Sequence, residues 1–91
     1  MEERQEVKLT EIDIEGLIES ETYMKVGLKT TVCLITLKNG FEVIGTSACV
    51  DPAAYSEDIG KRLSREKAKD TIWLVAGYEL QVRKSEGRIF E

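Results

Sequence analysis

The stretch Thr30–Val50, TTVCLITLKNGFEVIGTSACV, decides the fold. Two runs rich in β-branched residues flank Asn39-Gly40, the strongest short-range signal for an antiparallel hairpin. Taking Asn39 and Gly40 as a two-residue turn sets the register: Lys38 faces Phe41, Thr36 faces Val43 and Cys33 faces Thr46. One face then carries Thr31, Cys33, Ile35 and Leu37 with Ile44 and Ala48. The other carries Val32, Leu34 and Thr36 with Phe41, Val43 and Cys49. Both faces are mostly apolar, whereas a hairpin with one wet face alternates apolar and polar. Each face is therefore expected to meet something: the chain's own helices on one side, and another helix or a second subunit on the other. This register sends Cys33 and Cys49 to opposite faces, so they are expected not to pair. Two buried, reduced thiols fit a reducing compartment, the cytoplasm.

Upstream of the hairpin, Met1 to Lys8 is polar and expected to be mobile, as is the whole of 1–9. Thr10 offers a helix N-cap, with Asp13 placed to complete a capping box. Ile14, Leu17 and Ile18 recur at helical spacing and predict a helix over Glu11–Ser20, weakened by Gly16. Downstream, Asp51 can cap a turn with Pro52 at its first position, or Ser56 can cap a longer helix. SEDIGKRLSREKAKD reads as that helix. TIWLVAGYELQVR fits either its continuation or an alternating strand, and helix is the better fit. KSEGRIFE reads as a loop or short docking tail. The expected architecture is a single α+β domain over 1–91, a central antiparallel hairpin flanked by an N-terminal helix and a long C-terminal helical segment.

The composition bounds the function. Ninety-one residues, 42% of them apolar, can build one core, but a chain this small is marginal alone and self-association is expected. No apolar run of membrane-spanning length occurs, and the charged N-terminus lacks the apolar core of a secretory signal. There is no His, which removes the commonest general acid/base and metal ligand. Two Cys alone do not make a zinc site. No phosphate-binding glycine loop or paired-carboxylate arrangement is present, so a non-enzymatic protein without cofactor or metal is expected. The net charge of −4 argues against a general nucleic-acid coat protein.

That net charge conceals a split. Residues 1–21 hold eight acids against Arg4 and Lys8, while residues 22–91 hold eleven bases against nine acids. Lys61, Arg62, Arg65, Lys67 and Lys69 form one basic run, and Arg83, Lys84 and Arg88 a second cluster. Such runs are either solvated helix faces or cationic patches for an anionic ligand. Tyr55 stands at a loop-to-helix junction, where it can anchor the helix start or stack on a base. Arg62, Arg65 and Lys67 lie just beyond it. Arg83, Lys84 and Arg88 could converge on it from the same subunit or a neighbour. An aromatic ring with several guanidinium donors is the chemistry a nucleotide requires.

The run T-V-x-x-x-T-L-K-N-G-F-x-V-x-G-x-S-A-C, then D-P-x-x-Y-x-x-x-I-G, then I-W-x-x-x-G-Y-x-L resembles a family of small tailed-phage proteins, mostly of unestablished function. The likeness spans Thr31 to Gln81. It extends to the first-described phage anti-Thoeris proteins, which act as sponges. Those bind the cyclic ADP-ribose isomer made by a bacterial TIR-domain defence protein. They assemble from dimers, some into hexamers, and some hold cyclic oligonucleotides at separate sites. The resemblance implies a pocket at a subunit boundary, with Tyr55 stacking on adenine and a polar helix residue contacting ribose or phosphate. This chain has Lys67 where many relatives carry Asn, which puts that contact in doubt. Arg83 and Arg88, with Lys84 close by, would hold the pyrophosphate. Lys29 or Arg62 would serve a cyclic oligonucleotide. The implied partners are the cyclic nucleotide and further copies of the chain; no membrane partner is expected, and the alternatives are a protein–protein module inhibiting a host factor or, less favoured, a nucleic-acid binder using the basic helix.

Overall fold

The computed structural model describes residues 8–87. Its elements are helix α1 (Glu11–Gly16), strands β1 (Ile18–Val26), β2 (Thr30–Leu37) and β3 (Glu42–Ala48), a 3₁₀ turn over Pro52–Ala54 and helix α2 (Glu57–Ser85). The strands form one antiparallel sheet in the order β1-β2-β3, and α2 lies across one face of it. The α+β architecture is the expected one, with a third strand added. The expected mobile stretch over 1–9 lies almost wholly outside the described residues, as does the tail beyond Gly87.

The caps form as the sequence dictates. Thr10 accepts the Asp13 backbone N–H at 3.2 Å while the Asp13 carboxylate accepts that of Thr10 at 3.0 Å, a complete capping box. Asp51 caps the 3₁₀ turn with Pro52 inside it, and Ser56 caps α2, so both proposed starts occur. TIWLVAGYELQVR continues α2 as one 29-residue helix. The loop expected over KSEGRIFE starts later, because Lys84 and Ser85 are the last helical residues, and Gly87 turns the chain away at φ +75°.

Two expectations are corrected. The helix expected over Glu11–Ser20 stops at Gly16, and Ile18 already begins β1. Six residues suffice because α1 is held by its capping box and by Ile14, which is fully buried. β1 escapes a pattern reading because it is a mostly exposed edge strand with a register shift between Ile18 and Ser20, and only Ile18 and Tyr23 are even half-buried.

The hairpin register also moves by one residue. Ile35 faces Val43 and Cys33 faces Gly45. The connection is a three-residue loop, Lys38–Gly40, closed by Leu37 N–H to the Phe41 carbonyl at 2.8 Å. Gly40 supplies the left-handed position at φ +93° that such loops need. The helix-facing side of the hairpin therefore carries Val43 and Gly45, while Ile44 points to the open face and is 58% exposed. Cys33 and Cys49 lose their assignment to opposite faces. Cys49 lies beyond β3, only half-buried, and both thiols are free as expected.

The core is Ile14, Cys33, Ile35, Leu37, Val43, Ala68 and Ile72, with Trp73 packed against it. Small residues on α2 let the helix come close. A Cβ on Gly45 would sit 2.1 Å from the Ser64 carbonyl oxygen, and one on Gly60 would sit 2.3 Å from Thr31 Oγ1. Gly45→Ala is accordingly expected to cost about 3 kcal/mol or more, because backbone must move to admit the methyl. Gly40→Ala, which meets no neighbour, should cost about 1–2 kcal/mol from its left-handed backbone alone. Urea unfolding of the two variants measures the difference, and equal losses would refute the close-packing account.

Candidate functional site

The turn after β3 delivers Tyr55 to the start of α2, and the sheet arranges groups around it. Tyr55 Oη and Thr31 Oγ1 share a hydrogen bond of 2.7 Å. Thr31 belongs to the buried row of β2, so this bond ties the ring to the core. Gly60 leaves room for it, since any side chain there would meet Thr31. The ring remains half-buried, with Lys25 Nζ 4.6 Å from its centroid. Lys25 reaches it from β1 because it faces Thr31 across the β1–β2 pair. A niche of 80 Å³ opens beside the ring, lined among others by Lys29, Ser47, Cys49, Ile59 and Leu63. Lys29 Nζ donates to the Val50 carbonyl at 2.8 Å. Tyr55 is thus a helix-start anchor whose ring also stays accessible.

The other sequence candidates scatter. Arg65 and Lys69 belong to an ion cluster that ties α2 to the N-terminal segment. Arg65 forks onto Glu15 at 2.8 and 3.0 Å and bonds Glu21 at 2.9 Å. Lys69, almost wholly buried, pairs with Glu11 and, at 2.9 Å, with Glu15. Lys61 faces Glu57 within α2 at 3.8 Å. Arg62 and Lys67 point to solvent. Arg83 bonds Glu79 at 3.5 Å, and Lys84 is half-buried near the end of the helix. At 1.5 Å per residue, about 40 Å of helix separates these two from Tyr55, so they do not converge with it in one subunit. Arg88 lies outside the described residues.

Arg83 instead borders a second cleft, a groove of 660 Å³ between α1, the hairpin tip and the distal half of α2. Its walls include Leu9, Ile12, Leu17, Val75 and Leu80. Sequence reasoning missed Lys25 and Thr31 because it missed β1, which places one opposite the other. It also missed the acids that occupy Arg65 and Lys69, although the split of charge between the N-terminal segment and the rest was the available signal.

Two potentially nucleophilic side chains are held in their protonated forms. Burial pushes the Cys33 thiol up, away from the thiolate. Burial also raises the Tyr23 phenol, and its hydrogen bond to Glu21 at 2.7 Å adds to that. No group of His, Cys, Asp and Glu among the described residues is arranged to hold a metal.

The ion cluster carries a pH signature. Hydrogen bonds from Arg65 and then Lys69 hold the Glu15 carboxyl down at about 2, from an ordinary 4.5. Arg65 likewise lowers Glu21. A carboxyl lowered by folding binds fewer protons in the native state than in the unfolded one. Its contribution is therefore complete above pH 4.5 and is lost as pH falls toward 2. The urea midpoint should decline over that window. Arg65→Ala should lower stability at pH 7 by about 1–2 kcal/mol, since the partly exposed Glu15 is screened. It should also flatten the acid decline. A variant whose pH curve runs parallel to that of the parent would contradict the cluster's role.

No curated protein and no solved structure matches this chain. Residues 9–84, which run from just before α1 to the penultimate residue of α2, match one family throughout, and the chain belongs to the phage protein (N4 Gp49/phage Sf6 gene 66) family.

Proposed function

We propose that this phage protein acts in the host cytoplasm, where it binds and sequesters, without cleaving it, a cyclic nucleotide immune signal such as the cyclic ADP-ribose isomer of a TIR-domain defence protein. The observation that carries the reading is Tyr55: a ring fixed through its hydroxyl to Thr31, half-exposed, with Lys25 over it and Lys29 in the adjoining niche. Aromatic stacking with cations beside it is the chemistry of a purine joined to phosphate. The resemblance to the anti-Thoeris sponges supports the same residue in the same role. The niche alone is smaller than the few hundred Å³ that small-molecule sites usually occupy. A neighbouring subunit supplies the remaining walls and the arginine donors, which fits the pocket at a subunit boundary that the resemblance implies. Family membership by itself carries no ligand.

A second reading, a protein–protein module that acts on a host factor, is favoured by the groove walled by Leu9, Ile12, Leu17 and Leu80. A nucleic-acid binder is less well supported, because Arg65 and Lys69 of the basic run are already neutralised within the chain.

Calorimetric titration with cyclic ADP-ribose isomers separates these readings. Heat and an intact ligand recovered after denaturing the protein are expected. No heat with any isomer or with cyclic di- and trinucleotides would sink the proposal, and a cleaved product would make the protein an enzyme. Tyr55→Ala should weaken binding by roughly 1–3 kcal/mol. Tyr55→Phe, which keeps the ring and loses the Thr31 bond, should retain most of the affinity while losing about 1 kcal/mol of stability.

A further inference from the structure

We propose that the segment just past α2 folds back along that helix and seats Phe90 in the groove between α1, the hairpin tip and the distal half of α2. The groove has a volume of 660 Å³. Its α2 wall is Ile72, Val75, Ala76, Glu79, Leu80 and Arg83, and Ile12 and Leu17 stand across from it. Ile12 is 82% exposed and Leu17 37%. Apolar walls this open to water gain free energy from a cover.

Three observations identify the chain's own next residues as that cover. The first is helical phase. The α2 wall advances by three, one, three, one and three residues, which keeps it on one side of the helix. Continuing by three and one past Arg83 lands on Glu86 and Gly87, so the chain leaves α2 on the groove side. The second is the helix end. Gly87 is left-handed at φ +75°, and its N–H donates to the Lys84 carbonyl at 3.1 Å. A glycine in that conformation with that bond is the closure that reverses a chain at a helix C-terminus. The third is reach and composition. Past Val82 the only large apolar residues in the sequence are Ile89 and Phe90. Three extended residues carry Phe90 about 10 Å from Gly87. Leu80 lies about 10 Å back from Gly87 along the helix axis. A reversed segment therefore brings Phe90 level with Leu80, within the span of the groove. Successive side chains of an extended segment point to opposite sides, so Ile89 stays at the rim as Phe90 enters. The stretch KSEGRIFE reads as a docking tail in sequence, and the groove supplies the surface on which it docks. The seat also changes what this surface offers to other proteins, because any apolar partner at the groove competes with Phe90.

Nuclear magnetic resonance on the full chain tests the seat. Cross-relaxation between the Phe90 ring and the methyl groups of Ile12, Leu17 or Leu80 is expected, with an intensity independent of protein concentration. Phe90→Leu should abolish the ring-current shifts of those methyl groups and leave the rest of the spectrum in place. Trypsin provides a second readout. The bond after Arg88 should be cut at least tenfold more slowly in the parent than in Phe90→Asp, whose circular dichroism should match that of the parent. The proposal is overturned if the Phe90 ring shows no contact with the groove methyl groups. Contacts seen only between differently labelled copies in a mixed sample overturn it as well, as does equal cleavage after Arg88 in parent and variant. None of these readouts needs a ligand, so the seat stands or falls independently of the sequestering function.

Discussion

Everything in this fold is positioned by the near contact of two backbones, that of β3 at Gly45 and that of α2 at Ser64 and Ala68. There is no room for a Cβ between them. The helix is therefore seated directly on the sheet, and its axial position is fixed by where the small residues fall. Gly60, Ser64 and Ala68 recur every four residues on one side of α2, so the close approach runs along two turns. At one end of that row Gly60 lies over Thr31, which is why the Tyr55 hydroxyl reaches it. At the other end Ile72 takes over and fills the space against Ile14, Ile35 and Leu37 with ordinary apolar bulk. A chain of this size has little core to spare, and it gains stability by bringing helix and sheet together without intervening side chains.

Charge then fastens what packing leaves loose. α1 is a single short helix with one buried side chain, too short to hold itself. Its Glu11 and Glu15, with Glu21 from β1, converge on Arg65 and Lys69 of α2. In the sequence the acidic N-terminal segment and the basic helix read as separate surfaces. In the fold Glu11, Glu15 and Glu21 of the one meet Arg65 and Lys69 of the other in a single ion cluster. This changes which cations are free for a partner. Arg62 and Lys67 stay in solvent, Lys25 and Lys29 gather near Tyr55, and Arg65 and Lys69 are spent on the fold.

The legible regions of the chain were those set by local chemistry. The Thr10–Asp13 box, Asp51-Pro52 and the Ser56 cap act within a few residues, so their residue types suffice. The long apolar-and-basic pattern of α2 is equally self-sufficient. β1 was illegible because nearly all its side chains face water, leaving no alternation to read, and it exists through pairing with β2. The register of the hairpin was hidden for a subtler reason. Asn39-Gly40 serves a two-residue turn or the end of a three-residue loop, and only the fit of Gly45 under α2 chooses between them, since the other register would offer Thr46 or Ile44 to a contact that admits no side chain. Tyr55 was singled out from sequence at the loop-to-helix junction it occupies, whereas Lys29 entered only through the resemblance and for a separate site. Lys25 and Thr31 depend on strand pairing and were not singled out.

The geometry also sets the two ends of the molecule apart. α2 is about 43 Å long at 1.5 Å per residue, whereas strands of seven to nine residues cover roughly 23–30 Å. The helix therefore overruns the sheet, and the molecule is drawn out to 61 × 25 × 18 Å. Its middle, TIWLVAGY, is apolar on every side, a pattern that suits a helix surrounded by protein. The sheet and α1 cover only a portion of that circumference, leaving Leu74 and Tyr78 outside. Tyr55 at the start of the helix and Arg83 near its end cannot meet within one chain, because the rigid rod that carries both holds them apart.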